Sequence, residues 1–246
     1  MAISSNSIIH YTDTFDKIKS IITEGFRIKY CAEKLIVDED TNSLAAHPMI
    51  SFCDIPLSQS HKHFDAYGRY GIGLNKSWAK KLGINPVLYI DEKSSISKTL
   101  GELLKERRNK NSNLTVDQRN KILRIKSFTK NYSGLLKRKN IEILDYKYYD
   151  EREWRFVPES KDLKGAKFSI HLKDYLRNKD KFNEQIADIR IGFKAHEITY
   201  IIVENTSEIP EFIKILRKHF TDKLTENELD LLFSKICSTR QIQEDY

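Results

Sequence analysis

Past the middle of the chain the sequence reads Tyr148-Tyr149-Asp150-Glu151-Arg152-Glu153-Trp154-Arg155-Phe156-Val157 and stops at Pro158. Aromatic and β-branched residues predict a strand here, and alternation puts Glu151, Glu153 and Arg155 on one face with Arg152, Trp154 and Phe156 on the other. A charge cannot be buried singly without a large desolvation cost, so this face must line a cavity, pair its own charges, or stay solvated with Arg155 bridging both acids. A carboxylate on a rigid strand can also hydrogen-bond a ribose hydroxyl and stabilise positive charge developing on an anomeric carbon. Glu153 and Glu151 are therefore candidate catalytic residues, and Arg155 a candidate binding residue.

Around this segment, periodicity predicts an α+β chain. The run Ser7-Ile8-Ile9-His10-Tyr11-Thr12 reads as a strand; Asp13 or Thr14 then caps an amphipathic helix through Phe15, Ile18, Ile21 and Ile22 that Gly25 closes. Met49–Ile55 reads as a second strand followed by a histidine-rich loop, residues 67–74 as a glycine-bearing strand, 76–82 as a short helix and 86–90 as another strand. Residues 95–134 carry helical periodicity in a highly charged background broken by Asn109-Lys110-Asn111-Ser112-Asn113, which predicts a helical hairpin inserted in the sheet. Strands are expected near 167–171, 186–191 and 199–203. Helices over 210–220 and 226–236 are expected within a C-terminal helical region, 205–246, that ends in a frayed tail.

The composition sets the class. With 39% hydrophobic and 11% aromatic residues the chain can fill a core, and no composition shift divides its 246 residues, so a single domain spanning 1–246 is expected. No apolar stretch approaches the roughly 18 residues that cross a bilayer, and the opening lacks the order of a secretion signal, which predicts a cytoplasmic protein without membrane attachment. Cys31, Cys53 and Cys237 form no CxxC pair and read as buried apolar residues. The net charge of +7, concentrated between Lys93 and Lys139, attracts phosphate, so nucleic acid, a nucleotide or an acidic partner protein all fit, as does a plain solvated surface.

Other polar constellations are less specific. His10-Tyr11-Thr12, at a strand end before a helix, can hold a ribose or an amide, although a lone histidine is as often a core residue. Tyr67-Gly68-x-Tyr70-Gly71-x-Gly73 lets a flat ring approach the backbone, as a nicotinamide or a base would, and ordinary strand-end packing explains it equally. It is not the GxGxxG of dinucleotide folds. Cys53, Asp54, His61 and His63 lack recognised metal-ligand spacing, so no metal is expected. The chain carries no P-loop, HExxH or Ser-His-Asp pattern.

His10-Tyr11-Thr12, Ile22-x-x-Gly25-Phe26, the blocks PMISFCDIPLS (48–58) and YGRYGIGLNKSW (67–78), and DEREWRFVP (150–158) together resemble the AbiGi family of abortive phage-resistance proteins, over about the first two thirds of the chain. That resemblance implies a bacterial phage-defence role, commonly labelled antitoxin, with a toxin partner. The order of residue types is also similar to the ADP-ribosyltransferase fold, including the DarT type, which implies a mixed, largely antiparallel sheet with a helical insertion. In that likeness His10 and Thr12, with Tyr11 between them, hold the ribose and nicotinamide of NAD. Tyr70 or Tyr67, beside Gly71, stacks on the nicotinamide; Glu153 is catalytic, and Glu151 is the first acid of an E-x-E pair. The charged insertion stretches the spacing to Glu153 beyond that pattern. Two functions follow as expectations: NAD-dependent ADP-ribose transfer to nucleic acid or protein, and non-catalytic neutralisation of a partner through the basic insertion.

Overall fold

A computed structural model of the chain describes residues 5–37, 42–138 and 141–245. The first four residues, Lys139 and Tyr246 lie outside them. The fold is mixed α+β with predominantly antiparallel pairing, and its contacts divide the chain into two compact units. The first unit holds residues 1–27, 51–84 and 190–246; the second holds 28–50 and 85–189. The long strand Asn42–Cys53 supplies residues to both.

In the first unit, strand Ser7–Thr12 pairs antiparallel with Tyr70–Asn75 along its whole length, from Ser7 opposite Asn75 to Thr12 opposite Tyr70, and meets Cys53 at Ile9. Strand Ile198–Val203 flanks Tyr70–Asn75 antiparallel, and Ile236–Ser238 adds to it in parallel. Helix Phe15–Glu24 begins where the Thr14 hydroxyl accepts the Lys17 N–H, and Gly25, at φ +83°, ends it. Ile18 and Ile22 turn inward, and Phe15 meets Phe212 of helix Ile209–Phe220 edge to face at 5.6 Å. The spacing of Phe212, Leu216 and Phe220 puts one apolar stripe of that helix into the core.

In the second unit, strand Lys29–Ile36 pairs antiparallel with the first part of Asn42–Cys53, from Lys29 opposite Met49 to Ile36 opposite Asn42, and the short strand Ile170–His171 lies along Ala46 and Ala45. Strand Glu153–Phe156 pairs with Asn85–Pro86, and Leu88–Ile90 runs parallel to Thr129–Asn131. The expected helical hairpin is present as helices Ser95–Arg108 and Val116–Ser127. Leu100, Leu104 and Ile122 of the pair bury against Leu35, Val37 and Ile90. Arg119 closes the turn by donating to the Asn109, Ser112 and Leu114 carbonyls, so the asparagine-rich break is held rather than loose.

Several expected elements differ. Residues 148–151 form a single 3-10 turn, Arg152 takes a left-handed conformation at φ 45°, and only Glu153–Phe156 is extended, so the alternation expected across Glu151 does not hold. The helical insertion ends at Ser127; residues 129–138 are strands, and Ser133–Arg138 with Ile141–Lys147 makes a hairpin that composition did not announce. The loop expected after Pro56 contains the helix His61–Tyr67. The strands expected near 167–171 and 186–191 shrink to Ile170–His171 and Arg190–Ile191, and the last expected helix stops at Phe233 before strand Ile236–Ser238. The tail expected to fray is helical over Thr239–Asp245.

Gly68 shows how tightly the first unit is closed. At φ +111° it sits over the end of strand Ser7–Thr12, and a Cβ there would lie 2.2 Å from the Thr12 carbonyl oxygen. Gly83, at φ +69°, has nothing within 4 Å of the same position. Gly68→Ala is expected to lower unfolding free energy by well over the roughly 1 kcal/mol of backbone strain that Gly83→Ala costs. Urea denaturation of the two variants measures the difference, and equal costs would contradict the close approach.

Candidate functional site

The sequence-nominated residues fall into two groups. His10, Tyr11, Thr12, Tyr67, Tyr70 and Gly71 belong to the first unit, Glu151, Glu153 and Arg155 to the second.

The first group is brought together on paired strands, Thr12 opposite Tyr70 and Tyr11 opposite Gly71. The His10 ring is enclosed: its Nδ1–H donates to the Ser51 carbonyl at 2.8 Å, and it packs edge-on to Phe26 at 5.3 Å and Phe52 at 5.8 Å. Burial pushes its pKa down and so favours the neutral ring, with the Ser51 bond working weakly the other way. The Tyr11 hydroxyl donates to Ser60 Oγ at 2.7 Å, and its ring fills the space beside Gly71, where a Cβ would come within 3.2 Å of Tyr11 Cδ1. That glycine admits a neighbouring protein ring. Tyr67 packs on the same apolar cluster, next to His63. The Tyr70 ring is buried against Phe15, and its hydroxyl donates to Glu208 at 2.7 Å; burial and Glu208 both hold the phenol protonated.

The second group forms a buried ion cluster. Arg155 is fully enclosed at 0% exposure. Its Nε donates to Glu153 Oε1 at 2.7 Å, Nη2 to Glu153 Oε2 at 3.1 Å and to Glu33 Oε2 at 2.9 Å, and Nη1 to the Ser127 carbonyl at 2.9 Å. Lys130 Nζ donates to Glu153 Oε2 at 2.8 Å and Glu151 Oε2 at 2.6 Å, and lies 4.7 Å over the Tyr148 ring. The Tyr89 hydroxyl accepts the Glu153 backbone N–H at 2.8 Å. Burial alone would raise the Glu153 carboxyl, but Arg155 and Lys130 outweigh it and hold the group well below the carboxylate range. Burial likewise opposes the charge on Lys130, and Glu153, Glu151 and Glu33 reverse it. Glu153 is thus kept ionised by the cations beside it.

Composition hid half of this cluster. Lys130 and Glu33 were not nominated, because a lysine in a lysine-rich stretch and a glutamate in the polar-looking strand Lys29–Ile36 carry no local signal. The left-handed Arg152 lets Glu151, on the 3-10 turn, and Glu153, on the strand, meet the same ammonium. No group of histidine, cysteine, aspartate or glutamate among the described residues is arranged to hold a metal ion.

With this geometry in hand, the chain was compared with known proteins. A family model described as "Putative abortive phage resistance protein AbiGi, antitoxin" matches residues 24–204. The chain belongs to the AbiGi family. A curated relative in Lactococcus lactis subsp. cremoris, "Abortive phage resistance protein AbiGi", is 27% identical over 223 residues, covering 81% of this chain and 88% of its own length. No solved structure matches the chain. Among the described residues no helix is long and apolar enough to cross a membrane.

The AbiGi match covers the whole ion cluster and the strands that carry it. Removing one partner of a buried pair strands the other charge, at a cost of about 3–5 kcal/mol. Arg155→Met is therefore expected to unfold the second unit or lower its melting temperature steeply, and Arg155→Lys to recover only part of the loss, since an ammonium cannot engage Glu153 through two parallel bonds. Thermal denaturation followed by circular dichroism reads both, and a fully stable Arg155→Met would contradict the cluster's structural weight.

A titration prediction concerns His47, which is 1% exposed on strand Asn42–Cys53 and donates through Nδ1 to the Phe168 carbonyl at 3.2 Å. Burial first, then the Lys126 ammonium and more weakly Arg155 and Arg107, push its pKa down to about 3 from 6.5, against the Phe168 bond. The unfolded chain binds this proton near pH 6.5 while the folded chain resists it, so stability is full above that pH and falls as pH drops toward 3. The slope per histidine reaches about 1.4 kcal/mol per pH unit, and His10 contributes with the same sign. Between pH 6.5 and 5, His47→Phe is expected to flatten the pH dependence of the urea midpoint relative to wild type; an unchanged slope would show that His47 titrates normally.

Proposed function

We propose that this protein acts in phage defence as a non-catalytic antitoxin that binds a partner protein, with the exposed hairpin Ser133–Arg138/Ile141–Lys147 as its docking element. The observation that carries the reading is the engagement of Glu153: its carboxylate meets Arg155 at both oxygens and Lys130 at one. Those bonds use three of the roughly four acceptor sites of the carboxylate and neutralise its charge, which disfavours a role in stabilising an oxocarbenium-like sugar. The antitoxin label in the family description supports the same direction, and the relative's name supports the phage-defence part of it.

The hairpin supports binding. Leu135 is 51% exposed, Ile143 43% and Leu144 79%. Tyr132 and Tyr149, also exposed, stack at 5.6 Å beside them. Register places Ile143 opposite the buried Leu136, so by alternation Leu135 and Leu144 lie on the other face, where exposed apolar side chains suit a protein interface, and Lys137 pairs with Glu142 at 2.8 Å on the same ribbon.

The competing reading, ADP-ribose transfer from NAD through His10, Tyr70 and Glu153, needs Glu153 released from its partners. One pair of measurements separates the two. Purified protein incubated with labelled NAD and cell lysate is expected to show no protein-dependent loss of NAD, and Leu144→Glu is expected to abolish neutralisation of the partner in a growth assay at unchanged melting temperature, by roughly tenfold or more in binding. Turnover of NAD that disappears in Glu153→Gln would replace this proposal with the catalytic one, and full neutralisation by Leu144→Glu would move the interface elsewhere.

A further inference from the structure

Among the described residues, strands Ser133–Arg138 and Ile141–Lys147 form a sheet of their own, paired with no third strand. A ribbon of two strands is marginal in water unless it packs on something else. Its own side chains supply little of that packing, for Leu136 is buried while Leu135, Ile143 and Leu144 are exposed. The ladder is also interrupted, because the register shifts between Ile143 and Tyr146. Tyr148, which opens the 3-10 turn Tyr148–Glu151, reaches both strands from outside. Its hydroxyl donates to the Leu135 carbonyl at 2.7 Å, a Cβ on Gly134 would meet Tyr148 Cε2 at 3.4 Å, and its ring meets Tyr146 edge to face at 5.3 Å. The same ring lies 4.7 Å from the Lys130 ammonium, which Glu151 and Glu153 fix at 2.6 and 2.8 Å. Tyr149 tethers the foot of the ribbon, where its N–H donates to the Tyr132 carbonyl at 3.2 Å and the two rings stack.

We propose that Tyr148 is a positioning residue that anchors this hairpin to the ion cluster, so that the presentation of Leu135 and Leu144 is set by the Lys130, Glu151 and Glu153 charges. A cation attracts the face of an aromatic ring, and this cation cannot follow a moving ring because two carboxylates hold it. The hydroxyl adds direction, since a hydrogen bond to one named carbonyl fixes where along the ribbon the ring sits. Loss of the anchor widens the range of orientations that the ribbon visits while the core of the second unit stays packed. A surface that must first be ordered binds more weakly, because ordering it consumes part of the interaction free energy. That last step rests on the docking role proposed above; the anchoring itself does not.

The test compares the full chain with Tyr148→Phe and Tyr148→Leu by nuclear magnetic resonance relaxation, with melting temperatures measured alongside. Phenylalanine keeps the ring over Lys130 and loses the bond to Leu135; leucine loses both. In wild type the backbone order parameters of Leu135 and Leu144 are expected in the rigid range, about 0.85, with a partial fall in Tyr148→Phe and a fall below about 0.6 in Tyr148→Leu. Helix Ser95–Arg108 is expected to stay rigid in both variants, and the melting temperature to move by about 4 °C or less. Should Tyr148→Leu fail to fold, Tyr148→Phe decides by the same criterion. Unchanged order at Leu135 and Leu144 in the variants, a wild-type ribbon already in the flexible range, or a loss of order shared by the helix overturns the anchor. Neutralisation in the growth assay is scored separately. Loss in step with ribbon order supports the use of the anchor in docking, whereas full neutralisation by a loosened ribbon counts against the hairpin as the interface and leaves the anchor standing.

Discussion

The second unit depends on one guanidinium. Arg155 is the largest fully buried side chain, and it satisfies itself by binding Glu153 on its own strand, Glu33 on strand Lys29–Ile36 and the Ser127 carbonyl at the end of the helical hairpin. Those contacts join elements far apart in sequence at a point where no apolar side chain could satisfy the same polar groups. Lys130 extends the set to Glu151, so the turn before the strand is fixed by the charges that fix the strand. Such a cluster is poor evidence of net stability, because desolvation consumes much of the Coulombic gain. It is strong evidence of specificity, since an arrangement that leaves one member unpaired is heavily penalised.

That constraint also decides how the acids are read. A glutamate poised for glycosyl-transfer chemistry keeps acceptor capacity for the substrate, whereas Glu153 uses both oxygens on neighbours. The imidazole of His10 is absorbed in the same way, by a backbone carbonyl and two phenylalanine rings, and the Tyr70 hydroxyl by Glu208. The conspicuous polar residues of this AbiGi-family chain therefore hold its architecture.

Positive charge gathers in the second unit, part of it enclosed. The strands contribute Glu33 and His47, and the helical hairpin contributes Lys126, Arg107 and Arg108; Glu33 bonds Arg155 and also favours the charge on Lys126. Part of the basic bias of the chain is folded inward: Lys126, Lys130 and Arg155 are largely buried, and Lys130 and Arg155 are held there by carboxylates.

The sequence by itself determined the elements whose signals are local. A cap at Asp13 or Thr14 and the Gly25 stop delimited the first helix, a run of β-prone residues set strand Ser7–Thr12, and the asparagine-rich break located the turn between the charged helices. It also singled out Glu151, Glu153 and Arg155 as residues that must line a cavity, pair with one another or stay solvated. Only the tertiary structure decided which partners they took, because Lys130 and Glu33 are ordinary surface types whose burial follows from long-range pairing. The left-handed turn at Arg152, the hairpin at 133–147 and the division into two interleaved units were equally silent in the sequence. Each arises from contacts between residues distant along the chain, and local propensity carries no record of such contacts.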